Sequence, residues 1–201
     1  MKYKNDTGKK ILRAAFIEFE EKGYNGARMQ AIADRAGINK ALLHYHYKSK
    51  DALFQIIIRQ AFDMFLPKAI STFIGEPDFF KSIEKFTAAY IDFLLQHPRI
   101  PGFVTHEINN NPERIANFFK FSGFDRNLIK EKIAQAIADK MIDDIEPEQL
   151  IVNVISMIIF PFIARPIITG IVLNNDKQAY DEFIKKRKTE VARFVIKAIK
   201  K

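Results

Sequence analysis

Apolar residues recur at three- and four-residue intervals along almost the whole chain, which is the spacing of one face of an α-helix. Near the start, Ile11, Leu12, Ala15, Phe16 and Phe19 form such a stripe. No segment alternates apolar and polar residues as a half-buried strand does. The eight glycines and eight prolines fall mostly where the helical period resets. The pattern therefore predicts an all-α protein.

These resets, together with capping residues, divide the chain into a series of helices. The predicted helices cover residues 6–22, 28–36, 40–47, 49–71, 78–97, 100–109, 112–121, 124–141, 147–173 and 176–199. The first three are short and closely spaced, and the fourth is long. We therefore expect a three-helix N-terminal domain over residues 1–48 and a larger helical domain over residues 49–201.

The positive charge of the chain is concentrated near its start. Residues 1–54 contain 11 Lys and Arg against 6 Asp and Glu, whereas the other residues contain 21 against 18. A local basic excess of this kind is typical of a surface that contacts phosphates. The alternative is an ordinary solvated basic surface.

The chain has no cysteine, which excludes a disulfide framework, a thiolate metal site and a cysteine nucleophile. The segment from Met1 to Lys10 is polar and has no apolar run that could act as a signal peptide. Both observations lead us to expect a cytoplasmic protein.

A membrane span is an alternative for residues 150–173, which are apolar and long enough to cross a bilayer. The segment also contains Arg165, Pro161 and Pro166. An arginine at the centre of a span costs about 2.5–3.5 kcal/mol. A core or interface helix that bends at the prolines explains the segment better, and we expect no membrane contact.

Residues 29–47 form two short amphipathic segments on either side of Gly37. Glycine accepts the left-handed conformation that ends a helix, and Asn39 can cap the next one. Small residues at Ala33 and Ala36 allow the two helices to cross closely. This spacing is typical of a helix-turn-helix, whose second helix enters the DNA major groove. The residues expected to be buried are Ile32, Ala33, Ala36, Ile38, Leu43 and Tyr47.

The pattern over residues 6–54 resembles the N-terminal domain of the TetR family of bacterial repressors. It is carried by Gly23-Tyr24, Ile32-Ala33, Ala36-Gly37-Ile38, Leu43, Tyr47 and Ser49-Lys50-Asp51-Ala52-Leu53. The resemblance implies a homodimer that binds a palindromic operator as a repressor. It also implies a dimer interface in the last two helices and a small inducer bound in the larger domain.

This chain departs from the family pattern at three positions. The family usually has Thr or Ser at the start of the second helix, where this chain has Ala27-Arg28, so Arg28 can supply a charged contact instead. Ala41 stands where the family often has Gly. His44 stands where a Tyr usually bonds a phosphate, and its ring N–H can do the same, more strongly when protonated.

We expect DNA contacts from the outward side of the helix-turn-helix and its flanks. Gln30, Lys40, Leu42, Tyr45 and His46 are assigned to base edges or the groove, and Arg28, His44 and Lys50 to phosphates. The full predicted DNA-binding set is Arg28, Gln30, Asn39, Lys40, Ala41, Leu42, His44, Tyr45, His46 and Lys50.

The larger domain is rich in aromatic residues, and the chain as a whole has 19 Phe and no Trp. These rings are candidates to line a cavity for a small, mainly apolar ligand, and Glu107 and Arg165 are candidates to orient a polar group on it. The alternative is that the rings simply fill the core and that the two charges pair with each other or are exposed. The predicted ligand-binding set is Phe86, Tyr90, Phe93, Phe103, Glu107, Phe118, Phe119, Met157, Phe160 and Arg165.

The last two helices, about 148–173 and 176–199, have broader apolar faces than a single-sided surface helix needs. A pair from each of two subunits can form a four-helix seam, so we expect a homodimer.

An enzyme is the least supported function class. His44 and His46 are two positions apart and point to different faces of a helix, so they do not share a metal. His106-Glu107 has no second partner at metal-binding spacing, and the chain has neither a phosphate-binding glycine loop nor a nucleophile elbow. We expect no metal, cofactor or catalytic residue. The alternative function is an architectural DNA binder or a protein-interaction module that responds to no ligand.

Overall fold

The computed structural model describes residues 6–98, 100–121, 125 and 127–201, without the side chains of residue 66 and residues 118–121. Over these residues the fold is all-α, as the sequence predicts. The helices are α1 (Asp6–Gly26), α2 (Met29–Ala36), α3 (Lys40–His46), α4 (Lys50–Asp63), α5 (Leu66–Gly75), α6 (Phe79–Gln96), α7 (Ile100–Asn110), α8 (Pro112–Phe121), α9 (Asn127–Ala138), α10 (Pro147–Ile163), α11 (Arg165–Ile167) and α12 (Lys177–Ile199), with a π-helical turn at Ile168–Val172.

The single long helix predicted for residues 49–71 is wrong, because α4 ends at Asp63 and α5 begins at Leu66. Pro67 lies in the first turn of α5. A continuous helix would need an N–H at residue 67 to donate to the carbonyl of Asp63, and proline has none, while its ring clashes with that same carbonyl. The proline is therefore placed where a helix start tolerates it.

The expected bend within residues 147–173 is present beside Pro166, whereas α10 continues through Pro161. Helix α10 ends at Ile163, and the following segment Arg165–Val172 turns away from it by 67°. Pro166 lies in the first turn of the new segment, where its missing N–H costs no helical bond. Among the described residues no single helix is long and apolar enough to cross a membrane. Within the described part of the chain, one bent pair of segments, Pro147–Ile163 and Arg165–Val172, is long and apolar enough when the two are taken together.

The chain packs into two compact units. Unit 1 comprises residues 1–64 and 102–122, and unit 2 comprises residues 65–101 and 123–201. These limits differ from the expected division after residue 48, because α4 and most of α7 and α8 pack into the N-terminal core. Phe103 of α7 is 2% exposed, and its ring centroid lies 5.4 Å from that of Phe16 and 5.7 Å from that of Phe54. The functional division at residue 48 stays a prediction.

Unit 2 is built around α6 and α12, which pack side by side in opposite directions. The Lys188 ammonium pairs with Asp92 towards one end, and the Lys200 ammonium lies 5.4 Å from the Phe80 ring centroid at the other. Lys132 of α9 caps the C-terminal end of α5. Its ammonium donates hydrogen bonds to the carbonyl of Phe73, at 2.6 Å, and to that of Glu76. These carbonyls end a helix and have no partner within it, so the lysine supplies the missing donors.

Candidate nucleic-acid interface

The turn between α2 and α3 has the geometry that the sequence predicts. Gly37 adopts φ 68° and ψ 35°, and its N–H donates to the carbonyl of Asp34 at 3.1 Å. Asn39 caps α3, because its side-chain oxygen accepts a hydrogen bond from the backbone N–H of Leu42 at 2.8 Å. A cap of this kind stabilises a helix by about 1 kcal/mol, a large share for a helix as short as α3.

The inner side of this pair of helices is closed. Ile32, Ala33 and Leu43 are fully buried, and Tyr47 is 4% exposed. The expected Ala36 and Ile38 are half-buried. Because the inward residues of α3 are held by the core, the orientation of its outer face is fixed.

The outer face of α3 is made of residues that the fold does not use. Lys40, Ala41, Leu42, His44 and Tyr45 are exposed, as is the capping Asn39. Tyr45 is 83% exposed, and its ring makes an edge contact with that of His46, 5.7 Å between ring centroids. His46 itself is half-buried. Eight of the ten predicted DNA contacts are exposed, and these eight are Arg28, Gln30, Asn39, Lys40, Ala41, Leu42, His44 and Tyr45.

The predicted contacts that flank α3 differ in their surroundings. Arg28 is the residue before α2 and is exposed, but its side chain does not cap that helix. The Gln30 amide donates to the Asp34 carboxylate at 2.7 Å. The Lys50 ammonium donates to the carbonyl of Ala27 at 3.1 Å. Lys50 is thus half-buried and ties the start of α4 to the end of α1, a structural role that the sequence did not predict.

Two arginines that sequence reasoning missed hold unit 1 together. Arg35 of α2 pairs with Glu21 of α1 at 2.8 Å. Arg114 of α8 lies over the Tyr24 ring, 3.7 Å from Cζ to the ring centroid. Its Nη2 pairs with the Asp51 carboxylate at 3.5 Å. The Arg35–Glu21 pair could not be singled out, because exposed charged residues are common on helices. The position of Arg114 could not be predicted, because nothing in the sequence around it indicates a contact with Tyr24, 90 residues earlier.

Glu107 of α7 is buried in unit 1, with only 1% of its surface exposed. The Asn111 amide donates to its carboxylate, and an Arg114 nitrogen lies 3.9 Å away. Burial nevertheless raises the pKa of the Glu107 carboxyl above its ordinary value, against the opposite effects of Asn111 and Arg114. This residue was expected to orient a ligand in the larger domain, whereas the structure places it, with Phe103, in the N-terminal unit.

The other candidates for ligand binding are divided in the same way. Phe86, Tyr90 and Phe93 of α6 surround Phe65 in unit 2, with centroid distances to Phe65 of 6.4, 4.0 and 4.8 Å. Burial raises the pKa of the Tyr90 phenol to about 12. The apolar cavity beside this cluster, lined in part by Phe73 and Phe86, has a volume of about 60 Å³. Around Phe65 the rings therefore pack against one another and leave a small cavity beside them.

The last candidates lie at the surface or outside the described side chains. Phe160 is 61% exposed. Arg165 is exposed too, stacks on the Tyr180 ring at 4.7 Å and pairs loosely with Asp181, so it does not pair with Glu107. Met157 is half-buried in unit 2. The predictions for Phe118 and Phe119 fall on side chains outside the described ones.

An apolar surface remains uncovered on unit 2. Its large side chains come from α10, α11, the π-helical turn and α12, and most of them are more than half exposed. They are Val152, Phe160, Ile163, Ile167, Ile171, Val172 and Phe194. Several exposed large apolar side chains on neighbouring segments of the chain are typical of an interaction site.

The described part of the chain contains no group of three or more His, Asp or Glu residues placed to hold a metal ion. Of the histidines in unit 1, His44 and His46 lie on α3, and His106 lies against Gly23.

Residues 11–57 match the family model described as bacterial regulatory proteins, tetR family. Among curated proteins, the HTH-type transcriptional regulator RutR of Escherichia coli (strain K12) is 41% identical over 58 residues, which are 29% of this chain and 27% of RutR. The negative transcriptional regulator IcaR of the biofilm operon icaADBC, from Staphylococcus aureus (strain Newman), is 39% identical over 54 residues, 27% of this chain and 29% of IcaR. The chain thus spans less than a third of the length of these relatives.

Over nearly the whole chain, the fold is similar to solved structures. A transcriptional regulator of the TetR/AcrR family from Thermobifida fusca YX-ER1 superimposes with a TM-score of 0.63 at 21% identity, covering 94% of this chain and 97% of that one. At this identity the likeness concerns the fold alone, while the sequence match concerns the helix-turn-helix. Residues 11–57 are thus similar to the N-terminal domain of the tetR family of bacterial regulatory proteins, and the fold of the chain is similar to that of the TetR/AcrR-family regulator.

Proposed function

We propose that this protein is a transcriptional repressor that binds a palindromic operator with α3 in the major groove. The observation that carries the proposal is the outer face of α3, where Tyr45 is 83% exposed and belongs to neither core cluster of the described residues. A large aromatic ring left in water on the same short helix as Lys40 and His44 buries little of its surface within the chain. On a groove-reading helix it contacts bases or sugars, and the basic side chains contact bases and phosphates.

Helix α3 is stiff enough for this role because both of its ends are fixed. Asn39 caps its first turn, and the N–H of Tyr47 donates to the carbonyl of Leu43 at 2.8 Å where it ends. Arg28 before α2 and Lys50 at the start of α4 lie on either flank of the pair of helices in sequence. We assign them to phosphates, which position a recognition helix without reading sequence.

We further propose that the protein acts as a homodimer through the exposed apolar surface of α10 and α12. Ile171 is 75% exposed and Phe194 63%. A second copy of the chain presents the same apolar surface about a two-fold axis, so one contact covers both surfaces. A two-fold dimer reads two inverted half-sites one helical turn apart.

Release from DNA by a small, mainly apolar ligand is the last part of the proposal. The aromatic cluster of unit 2 supports it by composition, since Phe86, Tyr90 and Phe93 surround one ring, Phe65. The neighbouring cavity of about 60 Å³ is far below the 300 Å³ or more that small-molecule sites usually have, so a ligand has to displace rings. The small volume of this cavity favours the alternative, a DNA-binding protein that responds to no apolar ligand.

Selection of duplexes from a random library by the purified full-length protein tests the proposal. We expect enrichment of an inverted repeat whose half-sites are about 10 base pairs apart, centre to centre. Enrichment of no sequence, or of a single half-site bound by one chain, would contradict it. Thermal shift and operator release across a library of hydrophobic compounds separate the ligand-responsive repressor from the ligand-free DNA binder.

A further inference from the structure

Unit 1 contains a polar cleft that DNA reading by α3 does not use. It has a volume of about 750 Å³, within the range of small-molecule sites. One wall is α4 and the other is the end of α7 with the start of α8. The lining residues are Gln55, Ile56, Arg59, Asn110, Asn111, Pro112, Glu113, Arg114 and Asn117.

One side of the cleft is fixed by contacts within unit 1. The Asn110 amide donates to the carbonyl of His106 at 2.7 Å, and the Asn111 amide donates to the Glu107 carboxylate. Arg114 is held on the Tyr24 ring at 3.7 Å. These side chains have little freedom left, so this wall is preorganised and a ligand does not have to order it.

Three other polar side chains of the lining have no partner among the described residues: Gln55 and Arg59 on α4, and Asn117 on α8. Among the described residues Arg59 has no carboxylate within ion-pair distance, and the side-chain amides of Gln55 and Asn117 make no hydrogen bond. All three side chains are exposed to the cleft. A guanidinium supplies two parallel donors to one oxyanion, and each carboxamide adds a donor and an acceptor. Ile56 adds an apolar wall that is half-buried.

The charges around the cleft restrict the ligand. Asp51 and Glu107 face Arg114 at 3.5 and 3.9 Å and offset its charge. Among the described lining residues, Arg59 is therefore the cation available to a ligand, and Glu113 is the one carboxylate. This balance suits a molecule with one oxyanion that also carries hydrogen-bond donors, and it disfavours a polyanion.

We propose that this cleft binds a small polar molecule bearing a carboxylate or phosphate group. The oxyanion pairs with Arg59, and the amides of Gln55 and Asn117 bond the rest of the molecule. The site is chemically opposite to the apolar cluster of unit 2. Because α4 begins with Lys50, which holds the end of α1, a ligand against α4 contacts the same unit that carries α3. An effect of the ligand on DNA binding by α3 would rest on the proposed function, whereas binding of the ligand to the cleft does not.

The test is an NMR titration of the full-length, isotope-labelled protein without DNA, using inorganic phosphate in one arm and succinate in the other. The readout is the side-chain amide signals of Gln55 and Asn117, because phosphate also contacts the basic face of α3. We expect saturable shifts with a millimolar dissociation constant in at least one arm. The arm with the tighter binding distinguishes a phosphate from a carboxylate ligand.

Arg59→Gln should weaken this binding at least tenfold, and Asn117→Asp should weaken it by placing a second carboxylate in the lining. Lys9→Gln, on the exposed face of α1, is the matched control and should bind as the parent does. Unsaturable shifts in both arms, or equal binding by Arg59→Gln, would overturn the proposal. So would shifts of these amides by a short DNA duplex and by neither small anion, which assigns the cleft to the DNA backbone. Operator affinity is measured separately, so failure here leaves the proposed function standing.

Discussion

The guanidinium of Arg114 lies face-on over the ring of Tyr24, with 3.7 Å between Cζ and the ring centroid. The two residues are far apart in the chain, one at the start of α8 and the other at the end of α1. A cation over an aromatic face contributes about 0.5–1 kcal/mol at an exposed site and more when both partners are desolvated. Together with buried Phe103, this contact makes α7 and α8 part of the N-terminal unit.

Gly23 is predicted to be intolerant of a side chain. It adopts φ 64° and ψ 176°, and an added Cβ would lie 1.9 Å from His106 Nε2. Backbone strain alone costs about 1–3 kcal/mol at such an angle. We expect Gly23→Ala to lower the free energy of unfolding by more than Gly37→Ala, where nothing lies within 4 Å of the added Cβ. Urea denaturation measures both.

The destabilisation caused by the clash between the added Cβ and His106 is isolated by combining His106→Ala with Gly23→Ala. The double variant should be more stable than Gly23→Ala alone, because the backbone strain persists while the clash is removed. Equal stability of these two proteins would show that His106 does not oppose the substitution.

The buried carboxyl of Glu107 predicts a pH dependence of stability. Burial raises its pKa, so the folded protein keeps this proton to a higher pH than the unfolded chain does. Between the unfolded and folded pKa values, the free energy of unfolding therefore falls as pH rises. In Glu107→Gln this fall should be absent, because the amide does not ionise. Urea denaturation across the acidic range up to neutrality measures the slope.

Asn111→Ala is the matched control for that experiment. The Asn111 hydrogen bond lowers the pKa of Glu107, so its loss should raise that pKa further and extend the fall to higher pH. The same slope in the parent and in Glu107→Gln would mean that another group causes it.

Much of unit 1 was predictable from sequence because its signals are local. Gly37 ends α2 and Asn39 caps α3 through bonds to residues three or four positions away. The placement of Phe103 and Glu107 was not predictable in this way, because helical period reports which face of α7 is buried and not which core it enters. The break between α4 and α5 did have a local signal, Pro67, which outweighs the continuous apolar pattern around it.

Lys50 is predicted to have two separable roles. Lys50→Ala should weaken binding to all DNA sequences and flatten the dependence of binding on salt by about one ion, as loss of one phosphate contact does. It should also lower stability by about 1 kcal/mol, because its hydrogen bond to the carbonyl of Ala27 is lost. Fluorescence anisotropy at several salt concentrations and urea denaturation measure the two effects.

Lys48→Ala, at an exposed lysine before α4, is the control for stability and should unfold as the parent does. If Lys50→Ala lowers stability with an unchanged salt dependence, the lysine is a structural clamp and the phosphate assignment fails.

The exposed apolar surface of unit 2 predicts the oligomeric state. Light scattering should give twice the chain mass of 23.3 kDa for the parent protein. Ile171→Glu and Phe194→Glu place charges on side chains that are exposed in one chain, so each should fold but give the monomer mass. Lys186→Glu, exposed on the same α12, should stay dimeric. Dimers in both glutamate variants, or a monomeric parent at micromolar concentration, would place the interface elsewhere or remove it.

The most direct test of operator reading by α3 compares Lys40→Ala and Tyr45→Ala with the parent protein, on the selected operator and on unrelated DNA. Both side chains are exposed and bond to nothing in the core, so the free energy of unfolding should not change. Loss of a base contact costs about 1–3 kcal/mol, so operator affinity should fall about 5- to 150-fold while affinity for unrelated DNA changes far less. Operator affinity and sequence preference that stay at the parent level in both variants would contradict the account.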